Sequence, residues 1–225
     1  MTEAMEKNIR GIFSSISSKY DLFDSMISLG MDGKWRRKLI ETMEISGGIS
    51  VLDAGAGSGK VSFEIRSKYK NIKIIALDIT PEMFPHSKET GISFIEGSAV
   101  NMPFSGESFE RVVSAFLTRN VPSLDSYLEE SFRVLRHGGL FCNMDIFDPG
   151  KLFFGPLFRF YFYRIVPIVF DMLSSSHSYS YLASSVKKFV SPAEFSNRMK
   201  KTGFVDIKQI ILGGGSIAIH RGFKE

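Results

Sequence analysis

Ten residues, Val51-Leu-Asp-Ala-Gly-Ala-Gly-Ser-Gly-Lys60, constrain the fold more than any other stretch of the chain. The apolar run from Ile49 to Leu52 reads as a buried parallel strand, closed by Asp53. Gly55, Gly57 and Gly59 then alternate through a tight turn, and Val61 and Ile65, with Tyr69 beyond them, mark one face of a helix. Glycine accepts positive φ and, lacking a Cβ, lets a ligand press against the backbone. The N–H groups at the helix start are left to meet that ligand. Strand, turn and helix together form the first half of a nucleotide-type site, unless the glycine cluster is only a turn.

Three ligands compete for such a loop. A phosphate-binding loop needs Gly-x-x-x-x-Gly-Lys-Ser/Thr; here the first glycine would fall at Ala54, and Val61 follows Lys60. A dinucleotide fingerprint needs Gly-x-Gly-x-x-Gly, and its third glycine would fall at Lys60. What remains, Asp53-x-Gly55-x-Gly57-Ser58-Gly59, resembles the first motif of class I S-adenosylmethionine (SAM) methyltransferases, whose loop cradles the aminoacyl part of that cofactor. The next strand, Lys73 to Leu77, ends at Asp78-Ile79, about 20 residues on, where an acid can hold ribose hydroxyls. Thr80 before Pro81 reads as the helix cap, which leaves Asp78 for the ligand.

Strands are expected near 49–54, 73–77, 92–96, 110–115 and 139–145, and helices near 59–69, 81–88 and 124–136. Such alternation implies a parallel sheet with helices on both faces, binding its ligand outside the carboxyl ends of the strands. Those ends also present Gly97-Ser98-Ala99, Ala115 to Asn120, and Asp145. Arg119 offers a fixed cationic fork and Asn120 both a donor and an acceptor, suited to an anionic or phenolic oxygen. Pairing of Arg119 with a surface acid is the plainer alternative. Asp145 suits a substrate hydroxyl, proton acceptance or helix capping. Before the sheet, residues 4–45 read as helices, with Ile9, Ile12, Phe13 and Ile16 on one face and Trp35, Leu39 and Met43 on another. They form either a layer over the sheet or a lid over the ligand. After it, a helix near 192–202 and strands near 205–212 and 215–221, joined by Gly213-Gly214-Gly215, predict a closing antiparallel hairpin.

Between Leu152 and Leu173 lie eight aromatics, but Arg159, Arg164, Pro156 and Pro167 interrupt the run and argue against a spanning helix. The segment reads as a core or dimer-interface helix, or as an apolar substrate wall dipping into a membrane interface. The lone Cys142 allows no internal disulfide, suits a reducing cytoplasm and falls in an apolar strand, as a core thiol would. A net charge of +4 is too weak to argue for nucleic acid. The clusters Lys34, Arg36-Arg37-Lys38 and Lys187-Lys188 read as solvated faces, or as attraction to an anionic membrane surface. The polar N-terminus shows no signal peptide, and no His/Cys cluster has metal-ligand spacing.

Beyond the glycine loop, several segments resemble one family, the ubiquinone/menaquinone biosynthesis C-methyltransferases, also called demethylmenaquinone methyltransferases. They are Phe13 to Asp21 with its Tyr20-Asp21, Trp35-Arg-Arg37, Met102-Pro-Phe104, Arg119-Asn-Val121, Arg133 to Gly139, Tyr179-Ser-Tyr-Leu182 and Ala218-Ile-His-Arg-Gly222. The resemblance implies an α/β, Rossmann-like class I methyltransferase fold: a mostly parallel seven-stranded sheet with a C-terminal antiparallel hairpin and an N-terminal helical cap. It implies one domain, with the cap over 1–47, the cofactor core over 48–148, an aromatic substrate-side insertion over 149–190 and the closing helix and hairpin over 191–225.

For the site, the resemblance implies SAM contacts at Asp53, the three glycines, Ser58, Asp78, Ile79, Ser98, Ala99 and Ala115, and Arg119, Asn120 and Tyr20 near a quinol ring. Asp145, Tyr20, His220 or a water could serve as base. Departures include Asp32 for histidine, Lys60 for an aspartate at the helix start, His137 for proline, Asp145 for glutamate and Ala183 for proline. Ser98 stands where many class I enzymes set an aspartate against adenine. The implied reaction is SAM-dependent C-methylation of a prenylated quinol, without metal, at the cytoplasmic or inner membrane face. Peripheral membrane contact and a homodimer stay open. The alternatives are a methyltransferase for another small or lipid-like acceptor, and a non-catalytic module of a quinone-synthesis assembly.

Overall fold

The structure, a computed structural model, describes residues 2–17, 25, 27–85, 91–150, 155–168 and 178–225. Helices α1 (Thr2–Ile16) and α2 (Asp32–Thr42) precede the sheet. Then β1 (Ser50–Ala54), α3 (Lys60–Lys68), β2 (Lys73–Asp78), β3 (Ser93–Glu96), β4 (Phe109–Ala115), α4 (Leu124–Val134) and β5 (Leu135–Ile146) follow in turn. Helix α5 (Gly155–Phe160) runs on through a π-type turn, Tyr161–Ile165; α6 (Ser178–Lys188), α7 (Pro192–Thr202), β6 (Val205–Leu212) and β7 (Ile217–Phe223) complete the chain.

The seven strands form one sheet in the order β3-β2-β1-β4-β5-β7-β6. Strands β1 to β5 pair in parallel, and β7 runs antiparallel to both β5 and β6. The fold is therefore the mostly parallel sheet with a closing hairpin that the sequence implies. Strand order reverses between β1 and β4, and the crevice outside their carboxyl ends is where such sheets bind ligands.

Both faces of the sheet are covered because successive side chains alternate. Val51, Ile74, Ala76, Val113 and Cys142 pack with Leu39 of α2, Met43 just after it, and Val61 and Ile65 of α3. Leu52, Ile75, Leu77, Val112 and Phe141 pack with Tyr127 and Leu128 of α4 and Phe195 and Met199 of α7. A strand buried on both sides must be apolar at every position, which explains the continuous apolar runs in the sequence.

Three local expectations are corrected. β5 starts at Leu135 rather than 139, because a register irregularity between Phe109 and Arg111 lets its first turn pair early. The helix expected over 81–88 is a single 3-10 turn, Pro81–Met83, within the described residues. Thr80 makes no side-chain cap there; Asp78 Oδ1 instead accepts the Thr80 N–H at 2.8 Å.

Candidate active site

A cavity of about 950 Å³, counting its open mouth, lies at the carboxyl ends of β1, β2 and β4. The glycine loop forms its floor. Gly55 and Ala56 donate their N–H groups to the Leu77 carbonyl at 2.7 and 3.0 Å, which ties the loop to β2. Gly55 has φ +70°, and a Cβ there would meet Leu117 Cδ1 at 2.5 Å. Any other residue would strain the backbone there and push the Leu117 side chain aside.

Two carboxylates flank the loop. Asp53 is 1% exposed; its Oδ2 accepts from the Ser62 hydroxyl at 2.7 Å and the Ser62 N–H at 3.1 Å. Its Oδ1 is buried with no hydrogen-bond partner among the described residues. Burial pushes the Asp53 pKa up to about 6, against the Ser62 bonds and with a contribution from the Asp78 charge. Asp78 Oδ2 accepts the Gly57 N–H at 2.8 Å. Burial raises this group too, opposed by the N–H groups of Gly57 and Thr80. Asp78 is thus not left wholly to a ligand, as the sequence had it. The Thr80 hydroxyl and the Ile79 N–H bond it as well, and the residue lines the cavity.

The mouth of the loop holds a cationic pair that motif reading passes over. Arg36 is 7% exposed, donates to Asp32 Oδ2 and lines the cavity with Lys60. Lys60 Nζ stands 3.9 Å from the same Asp32 oxygen, and the Ser28 hydroxyl donates to Asp32 Oδ1 at 3.2 Å. Burial raises the Asp32 carboxyl, but Arg36, Lys60 and Ser28 together hold it below the usual carboxylate range. Arg36 is thus no solvated surface residue, and Asp32 balances the cation that Lys60 brings to the start of α3. The only hint in the sequence was the pairing of two departures, an acid at 32 and a base at 60.

The opposite wall is the turn after β4. Ala115, Phe116, Leu117 and Asn120 line the cavity. Phe116 holds φ +62°, a strained backbone for a bulky residue. Its carbonyl accepts from Arg119 Nη1 at 2.9 Å and Asn120 Nδ2 at 3.2 Å. Asn120 Oδ1 is buried without a partner among the described residues. Arg119 is not a lining residue: its Nη1 donates to Asp145 Oδ1 at 2.6 Å, in an ion pair exposed by only 4% and 0%. Asp145 Oδ2 accepts from the Thr118 hydroxyl and the Arg119 N–H, at 2.7 and 3.1 Å. The expectation that Asp145 meets substrate is corrected, since its carboxylate is committed behind the wall.

Ile79, Met83, Gly97, Ala99 and Val100 also line the cavity, together with Glu6, Ile9 and Phe13 of α1. Ser98 lies just outside this lining, and its hydroxyl donates to Glu6 Oε1 at 2.5 Å. Ser58 is on the cavity wall. Tyr20 lies outside the described residues. His220 is fully buried between Phe147 and Phe195, bonded through Nε2 to the Pro192 carbonyl at 2.9 Å, and burial pushes its pKa down to about 4. It is a neutral core histidine away from the cavity, so it is no candidate base. The loop, Asp53, Asp78, Ile79, Ala99, Ala115 and Asn120 therefore share one cavity, while Arg119, Asp145 and Ser98 stand behind it.

Apolar side chains, the carboxylates of Asp53 and Asp78 and the cations of Arg36 and Lys60 thus meet around one cavity. The model of the ubiE/COQ5 methyltransferase family matches residues 1–224. The ubiquinone/menaquinone biosynthesis C-methyltransferase UbiE of Geobacter sp. (strain M21) is 33% identical over 227 residues, covering 97% of each chain. That of Geotalea uraniireducens is 32% identical, covering 100% of this chain and 99% of the relative. Among solved structures, a SAM-dependent methyltransferase of Thermotoga maritima, a possible histamine N-methyltransferase, superposes with a TM-score of 0.70 at 17% identity over 96% of this chain and 100% of that one. A Haemonchus contortus phosphoethanolamine N-methyltransferase 2 in complex with S-adenosyl-L-methionine gives 0.65 at 13%, over 85% of this chain and 52% of that one. At those identities the structural likenesses speak for the fold.

Proposed function

The chain belongs to the ubiE/COQ5 methyltransferase family, and from that premise we propose that it C-methylates the ring of a prenylated quinol, with S-adenosyl-L-methionine as donor, in respiratory quinone biosynthesis. The observation that carries this reading is the pairing of the family match with two orphaned, buried acceptors in one cavity, Asp53 Oδ1 and Asn120 Oδ1. Buried acceptors without donors are costly, so two of them on the wall of one cavity support a ligand that brings donors there.

The cofactor supplies a methyl group on a sulfonium, and every other part falls to the chain. Asp53 Oδ1 takes the ammonium of the aminoacyl end, and Arg36 with Lys60 takes its carboxylate. Asp78, on the cavity wall, takes the ribose hydroxyls in place of some of its present donors. Gly57, Ser58, Ile79, Ala99 and Ala115 form the wall around the cofactor, with Ser98 supporting it from behind.

On the acceptor side, Asn120 Oδ1 receives the quinol hydroxyl and fixes which ring carbon faces the methyl group. Arg119 acts through the turn: it holds the Phe116 carbonyl and keeps a positive charge behind the phenolic oxygen, with Asp145 as its counter-ion. Tyr20 is kept beside the quinol ring, as the family resemblance implies, and the phenolic proton leaves to water. The segments divide accordingly: 1–47 caps, 48–148 holds the cofactor, 149–190 faces the prenyl chain and 191–225 closes the sheet. Incubation with a demethylmenaquinol and methyl-labelled S-adenosyl-L-methionine, followed by mass analysis, is expected to show one label on the ring carbon. Label on oxygen, or none above a no-enzyme control, rejects the reading.

Helix α5 and the turn after it bury Phe162 and Val166 and expose Leu157, Phe160, Ile165 and Ile168, beside the exposed Arg164. No helix among the described residues is long and apolar enough to cross a membrane. We propose that this stripe rests in the interface of an anionic bilayer at the inner face, where an acceptor with an oily tail resides. Wild-type protein should sediment with anionic vesicles, and Phe160→Glu with Leu157→Glu should not. Equal sedimentation would end the proposal, and concentration-dependent dimerisation lost in the same variant would assign the stripe to a homodimer instead.

A further inference from the structure

The purine end of the cavity contains a carboxylate that comes from the wrong part of the chain. The acid expected at the exit of β3 is missing, and Ser98 stands in its place. A serine hydroxyl could still meet the ring, but the only proton of this one and one of its two lone pairs are taken, and a neutral hydroxyl is a weaker acceptor than the carboxylate beside it. The Ser98 hydroxyl donates to Glu6 Oε1 at 2.5 Å and accepts the Val100 N–H at 3.2 Å. Glu6 sits on α1, 92 residues away in sequence, and lines the cavity beside Ala99 and Val100.

The helix that carries it is held in place. Ile9 is 6% exposed, and one turn beyond Glu6 the Arg10 guanidinium donates to Glu96 at 2.7 Å and Glu82 at 3.4 Å. An ionised carboxylate is an acceptor only, and Glu6 keeps lone pairs beyond the one that Ser98 occupies.

We propose that Glu6 is the specificity-determining acceptor for the exocyclic amino group of adenine, so that the capping helix reads the base that the sheet does not. This deepens the assignment of the cavity to S-adenosyl-L-methionine and rests on it.

The test compares S-adenosyl-L-homocysteine with S-inosyl-L-homocysteine, in which a carbonyl replaces the amino group, by calorimetry on the full chain. In wild type the carboxylate faces an acceptor in the inosyl ligand, so a preference of about tenfold or more for the adenosyl ligand is expected. Glu6→Gln can donate to that carbonyl, and its preference should fall below about threefold through tighter inosyl binding. Glu6→Ala should weaken the adenosyl ligand alone. A misfolded variant would weaken both ligands together, so the ratio isolates the contact, and Glu6→Ala serves if Glu6→Gln fails to fold. Equal affinity of wild type for the two ligands, or a wild-type ratio retained in both variants, overturns the role of Glu6. Binding of neither ligand by wild type overturns the cofactor assignment itself.

Discussion

Asp53 illustrates how a residue can be built for a ligand at the expense of the protein alone. Its carboxylate is buried, half satisfied and raised to about 6, so ionising it at neutral pH costs folding on the order of 3 kcal/mol. A bound ammonium would remove that cost and draw the pKa down. The linkage sign follows: binding then releases a proton wherever free Asp53 is protonated, so affinity falls as pH drops below about 6 and is level above it. Calorimetry with S-adenosyl-L-homocysteine at pH 5 and 7.5 is expected to show about a tenfold loss at the lower pH. Asp53→Asn should bind more weakly but with that difference gone. An unchanged pH difference in the variant would take the ammonium away from Asp53. The sequence made Asp53 legible because it closes a strand before a glycine turn. It hid Arg36, which sits among Lys34, Arg37 and Lys38 and differs from them only in facing Asp32.

At the scale of elements, the turn from Phe116 to Asn120 is over-determined. Phe116 accepts a backbone strain of roughly 1–3 kcal/mol. Its carbonyl is held from two side chains, and Asp145 accepts from Thr118 and Arg119 at the end of β5. Removing one ion from a buried pair leaves the other charge uncompensated, which costs about 3–5 kcal/mol. Asp145→Asn is therefore expected to lower unfolding free energy by about that amount in urea melts. Arg119→Met with Asp145→Asn should recover part of it, because no charge is then stranded. A loss below about 1 kcal/mol for Asp145→Asn would show that the pair does not hold the turn. Here the sequence was half legible. Polar residues following a buried strand announced a site, but Arg119 and Asp145 could be known as partners only once β4 and β5 were paired, in the register that sets Ala115 against Met144. The short turn at Pro81 has a similar cause: the Thr80 side chain bonds Asp78 on the neighbouring strand end rather than capping, and the Met83 N–H closes a 3-10 turn on the Thr80 carbonyl.

Over the whole molecule, what could be read was what repeats. Alternating strands and helices gave the sheet, and a glycine turn between two late strands gave the hairpin. Contacts between distant segments, such as Glu6 with Ser98 or Arg36 with Lys60 around Asp32, carry no periodic signal. They arise only when the sheet brings its carboxyl edge under the N-terminal helices. The same edge and its far side also set how the protein as a unit responds to acid. Asp53, raised by burial to about 6, favours folding when protonated, and that contribution is lost as pH rises through 6. His220, pushed by burial down to about 4, favours folding when neutral, and that contribution is lost as pH falls from its unfolded value of 6.5 through 4. Between pH 4 and 6 the two slopes oppose each other, with Asp78 adding to the side of Asp53. Asp53→Asn removes one slope and leaves the other, so the variant should be more stable than wild type at pH 7 and lose that advantage on acidification. A melting temperature about 5–10 °C above wild type at pH 7, shrinking to about a third of that near pH 4.5 and towards zero below the unfolded value of 3.8, is the expected record. Saturating wild type with S-adenosyl-L-homocysteine should likewise make it more acid-labile, because pairing the carboxylate cancels its slope. A gap between Asp53→Asn and wild type that holds constant over this range would mean that the orphaned oxygen is not strained by its burial, and the case for a ligand cation there would fall with it.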